Sequence, residues 1–169
     1  MSAKRIVVAM IVAAVASSVG NAQTTSDSDA AQRLVGAWRL VSWTEKLADG
    51  TVRPSAAADT GYLVYSVDHM CALLANSKRK GWSGQPADLT DATARASGVV
   101  SYCSKVDVHA REGFVLHTVD LDLNPRIIGT VRKRWFTFDG PDRLSLRVDP
   151  AETQRTVQES VLVWERVGR

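Results

Sequence analysis

Hydrophobic residues recur with period two in short runs, each closed by turn-forming residues, and this limits the chain to an all-β architecture. The runs lie at 36–46, 61–66, 70–75, 101–108, 114–121, 130–138, 143–148 and 158–166. Between them stand breakers such as Ala48-Asp49-Gly50, Asp68-His69, Arg111-Glu112-Gly113 and Asp139-Gly140-Pro141-Asp142. Leu123-Asn124-Pro125-Arg126 also interrupts, because proline cannot donate to a strand ladder. The pattern predicts eight antiparallel strands. In the first, Trp38, Leu40 and Ser42 share one face and Val41 and Trp43 the other. In the fifth, Val115, His117, Val119 and Leu121 share a face. One short helix is expected between strands three and four, over 91–97, with Thr90 as its cap, Asp91 in its first turn and Gly98 to end it. Residues 76–87, with Gly81, Gly84 and Pro86, carry no pattern, and no repeat or second domain is visible. Eight such strands can close into an up-and-down barrel around one small ligand or stack as two sheets, and alternation fits both.

Residues 1–22 stand apart. Lys4-Arg5, an apolar run over 6–16, and Gly20 and Ala22 just before Gln23 have the form of a secretory signal cleaved near Ala22. The run is shorter than the roughly 18 residues that suggest a membrane helix. Without these 22 of 169 residues, 147 remain, with 19 bases against 18 acids. A near-neutral chain lacks the basic face that nucleic acid requires, and the clusters Lys78-Arg79-Lys80 and Arg132-Lys133-Arg134 supply little of one. No later stretch suits a membrane span. The expected location is therefore periplasmic or extracellular. Polar residues 23–32 read as a flexible leader, and 33–169 as one domain.

Cys71 and Cys103 are the only cysteines. In an exported chain they form a candidate disulfide, the alternative being two separate thiols with at least one buried. Histidines 69, 109 and 117 lack metal-ligand spacing, and no phosphate loop, dinucleotide fingerprint or Gly-x-Ser-x-Gly elbow is present, so neither metal nor cofactor is expected.

Leu34-Val35-Gly36-Ala37-Trp38-Arg39-Leu40 resembles the Gly-x-Trp opening of lipocalin-like barrels. Gly61-Tyr62-Leu63-Val64-Tyr65-Ser66 followed by Asp68-His69-Met70 is similar to the second hairpin of the bacterial and fungal lipocalin-like domain family. Tyr102, Gly113-Phe114-Val115-Leu116-His117-Thr118-Val119, Gly129-Thr130 with Arg134-Trp135-Phe136, and Leu162-Val163-Trp164-Glu165-Arg166 continue the resemblance in order. It covers about residues 33–167. Cys103-Ser104 departs from the aromatic and glycine usual after the fourth-strand tyrosine, and 76–87 has no counterpart. The resemblance implies an eight-stranded antiparallel up-and-down β-barrel with an internal cavity. For most members it implies no established ligand; a few related fungal barrels resemble pericyclase-type enzymes.

Candidate site residues follow from strand parity. His117 falls among inward apolar residues, either as a core imidazole with a satisfied hydrogen bond or as a cavity group that donates, accepts or protonates. Arg134 and Arg132 share the face of Phe136 and Phe138. A buried arginine needs a partner, either a protein carboxylate such as Asp120 or the acid group of a ligand. Tyr102 and Tyr65 offer hydroxyls to the same space or pack with wet tips. Trp38 is expected at the barrel floor, with Arg166 across its indole. Three functions remain open. One is an exported barrel binding a small, mostly apolar or amphipathic molecule, with any acidic group facing Arg134 and His117. Another is a cofactor-independent isomerase, cyclase or dehydratase using His117 and Arg134, and the third is a side-chain-filled barrel with a structural or envelope interaction role.

Overall fold

The computed structural model describes residues 26–79, 81, 84, 85, 87–153 and 155–168. The export signal read over 1–22 lies outside them. Among the described residues nine strands are present: β1 (Gly36–Leu47), β2 (Val52–Pro54), β3 (Thr60–Tyr65), β4 (His69–Ala75), β5 (Val99–His109), β6 (Phe114–Asp122), β7 (Val131–Asp139), β8 (Arg143–Val148) and β9 (Val157–Arg166). β1 and β3 to β9 pair antiparallel in chain order, and β9 returns to pair with β1, which closes an eight-stranded barrel. Closure leaves no free edge along the ring. β2, which alternation does not signal, only adds a short flap to the far end of β1.

Two helices accompany the barrel among the described residues. The one between β4 and β5, α2 (Leu89–Ala96), matches the expected helix within two residues at either end. The other, α1 (Asp27–Leu34), stands where residues 27–32 of the expected leader lie; residues 23–25 are outside the described ones. Ser26 Oγ accepts the Asp29 amide, Asp27 and Asp29 sit in the first turn and Arg33 in the last, so caps and dipole both favour it. Ala30 and Leu34, four residues apart, are its buried contacts, too few to register as periodicity.

α1 seals one end of the barrel. Trp38 Nε1 donates to the Leu34 carbonyl at 2.8 Å, and the Arg166 guanidinium lies 4.0 Å over the Trp38 ring while donating to Val35 O at 2.8 Å and Arg33 O at 2.7 Å. The expected floor is thus present, with Trp38 fully buried. Gly36 is required beside it: its φ is 129°, and a Cβ there would stand 2.6 Å from Arg166 Nη1. Inward residues Leu40, Leu63, Met70, Leu74, Val115, Leu144 and Trp164 form the core, each buried large side chain contributing about 2 kcal/mol.

Two bulges overturn the expected parity. β1 carries an extra residue between Leu40 and Ser42, so beyond Val41 the inward positions become Trp43 and Glu45, and Ser42 faces out with Val163. In β6, Cys103 pairs with Leu121 and Ser104 with Val119, which leaves Asp120 as the extra residue. Leu121 is therefore 61% exposed rather than inward, and Asp122 turns in. Cys71 and Cys103 face each other across β4 and β5 on the outer surface and are joined in a disulfide.

Candidate functional site

Opposite the sealed end the barrel is open. A cavity of about 640 Å³ opens between α2, the 3₁₀ turns Pro125–Ile127 and Pro150–Glu152, and the strand ends. Its wall combines Val100, Val148 and Val157 with Trp43, Tyr102, Glu45, Asp122, Arg132, Arg134 and Glu152. Below it, a narrower space of about 60 Å³ is lined by Leu63, Met70, Leu74, Leu146, Leu162 and Trp164 and shares Trp43, Val100, Tyr102, Arg134 and Val148 with the space above. The cavity thus runs from a charged mouth to an apolar bottom.

β7 carries the arginines. Alternation sends Arg132 and Arg134 inward, where Phe136 and Phe138 continue toward the floor. Arg134 Nη1 donates to Glu152 Oε2 at 2.9 Å and to Lys133 O at 2.7 Å; Arg132 Nη1 donates to the same carboxylate oxygen at 3.4 Å. Burial opposes the charge on Arg134, but Tyr102 and Glu152 together outweigh it and hold the group above its ordinary value. Asp120 is not the partner. As the bulge residue of β6 it faces outward, 3.7 Å from His69 Nε2. Glu152 reaches the arginines because Asp149 caps the 3₁₀ turn of Pro150 and because Glu152 Oε1 accepts the Lys133 amide. Two guanidinium groups share one carboxylate, and Arg132 Nε is buried without a hydrogen-bond partner among the described residues.

His117 lies behind this wall. It is fully buried, with Nε2 2.8 Å from Tyr65 Oη and Nδ1 3.2 Å from Tyr102 Oη. Burial first, then the charges of Arg134 and Arg132, lower its pKa to about 3, so the imidazole is neutral. Burial likewise raises Tyr65 well above the usual phenol range, reinforced by Tyr102 and only partly offset by Arg134. Of the five residues singled out from the sequence, Arg132, Arg134 and Tyr102 border the cavity, whereas His117 and Tyr65 do not.

Trp43, Glu45, Asp122 and Glu152 escaped the sequence reading. The first three turn inward only because of the bulges, and Glu152 lies in a segment without β pattern. Trp43 Nε1 donates to Ser160 Oγ at 2.8 Å; Glu45 accepts from Ser55 Oγ at 2.9 Å and Arg53 Nη2 at 3.2 Å. Asp122 Oδ1 accepts the Asn124 amide. These bonds fix the orientation of the three side chains at the rim.

Among solved structures, the chain is similar to a lipocalin-like protein from Bacteroides uniformis, with 10% identity over 80% of this chain and 99% of that one and a TM-score of 0.44. An uncharacterized protein from Bacteroides eggerthii shows 10% identity over 79% and 99% of the two chains, with a TM-score of 0.43. A redesigned beta barrel, mFAP1, bound to DFHBI, shows 14% identity over 83% and 100%, with a TM-score of 0.39. No curated protein matches. The family described as the lipocalin-like domain matches residues 35–167, nearly the whole barrel from the Gly-x-Trp opening to the last strand, and the chain belongs to that family.

Proposed function

We propose that this chain is an exported carrier or receptor barrel that holds one small, mostly apolar molecule in its interior, with an acidic end toward Arg132 and Arg134. The carrying observation is the 640 Å³ space that grades from charged mouth to apolar bottom, within the roughly 300–1,000 Å³ usual for small-molecule sites. A barrel filled by its own side chains would leave no such volume. Catalysis through His117 has less support, since both imidazole nitrogens are occupied by tyrosine hydroxyls and the ring borders neither space. The signal-like segment 1–22 and the disulfide on the outer face both favour an oxidising, exported setting.

Native mass spectrometry of protein purified from its own host should reveal a retained small molecule. Fluorescence titration with 1-anilinonaphthalene-8-sulfonate should show saturable binding that V100W, which narrows the junction of the two spaces, weakens. Equal binding by wild type and V100W would place the probe outside the barrel and reject the reading.

A further inference from the structure

Neutral imidazole has one N–H donor and one bare nitrogen. Of the two tyrosines bonded to His117, one must therefore donate its hydroxyl hydrogen to the ring and the other must accept from it. The surroundings decide which. Tyr65 is 2% exposed, lines neither of the two spaces, and has His117 as its sole hydroxyl partner among the described residues, so its hydrogen is satisfied on Nε2. An enclosed O–H without an acceptor is costly, which disfavours the opposite order. The separations agree: 2.8 Å suits an O–H donating to nitrogen, and 3.2 Å suits an N–H donating to oxygen. Tyr102 then accepts from Nδ1–H, and its own hydrogen needs an acceptor elsewhere. Tyr102 is the member of the three that borders the cavity, next to Arg134.

We propose that the chain Tyr65 to His117 to Tyr102 runs in one direction and presents the Tyr102 hydroxyl as a fixed donor to the cavity, so that the site selects ligands whose polar end is an acceptor, a carboxylate set between Tyr102 and Arg134. The proposal rests on the cavity being a ligand site and adds what that site recognises. A ligand ending in an ammonium group finds a donor and two guanidinium groups at that wall. Of the two other acids that line the cavity, Glu45 is paired with Arg53 and Ser55, and Asp122, the cross-strand neighbour of Tyr102, is turned to the Asn124 amide, so the selection rests on the Tyr102–Arg134 wall and not on the charge of the whole cavity. On the arginine wall itself, one carboxylate faces two positive charges, which leaves a place for one more anion.

Two measurements test this on the full chain. Long-range nitrogen–proton NMR on the wild type reads the His117 tautomer: Nδ1–H with bare Nε2 is expected, and Nε2–H overturns the relay whatever the cavity binds. Calorimetry near neutral pH compares decanoate with decylamine. Decanoate should bind at least tenfold tighter, and Y102F should weaken decanoate roughly tenfold, as expected for a lost hydrogen bond to a charged group, while leaving decylamine unchanged. Undiminished decanoate binding by Y102F overturns the proposal. Binding of neither amphiphile by a wild type with the Nδ1–H tautomer overturns the ligand reading instead and leaves the direction of the relay intact.

Discussion

His117 makes the interior sensitive to acid. Its pKa is lowered from an ordinary 6.5 to about 3, first by burial and then by Arg134 and Arg132. Between those values the unfolded chain binds a proton that the folded chain does not, so stability rises with pH across the window and falls as pH drops below about 6.5. The slope is on the order of 1.4 kcal/mol per pH unit. Urea titrations should therefore show the wild type losing about 2 kcal/mol between pH 7 and pH 5 from this group alone. H117Q, whose amide can accept from Tyr65 and donate to Tyr102, should have a flatter profile. Equal losses in both proteins would assign the acid limb to other groups. Sequence parity places His117 inward but cannot say whether an inward side chain meets space or another side chain. That depends on Tyr102, fifteen residues away, standing between it and the cavity.

At the scale of elements, the strands were legible because each needs only a period-two run and a turn. The exceptions are local insertions. Val41 and Asp120 carry no mark in hydrophobicity, yet each reverses the faces of the residues beyond it, and their effect depends on where neighbouring strands pair. This is why Trp43, Glu45 and Asp122 reach the cavity and Leu121 does not. The same pairing sets Cys71 opposite Cys103 with Cα atoms 4.1 Å apart, close enough to bond across 32 residues of sequence. Removing the link in C71S/C103S should cost about 3 kcal/mol and lower the melting temperature by roughly 10 °C. Reductant should bring the wild type to the same melting temperature, and an unchanged value would show that the ladder alone holds β4 to β5.

For the whole molecule, closure depends on residues from both ends of the chain. Arg166, in the last strand, donates to carbonyls of Arg33 and Val35 and covers Trp38, tying β9 to α1 and the start of β1. Lysine cannot hold two carbonyls and the indole with a planar fork, so R166K should lose about 2 kcal/mol, read by chemical denaturation. A value within error of wild type would mean the floor is sealed by apolar packing alone. The order of the strands, the Gly-x-Trp floor and the family are written in the sequence, since each depends on neighbouring residues or a short motif. Alternation left barrel and sandwich equal; the pairing of β1 with β9 decides for the barrel. Only the tertiary structure supplied Glu152 as the arginines' partner, Tyr102 as the wall before His117, and the cavity that Glu152, Arg134 and Tyr102 line. Each is a relation among side chains distant in sequence, set by register and closure rather than by local pattern.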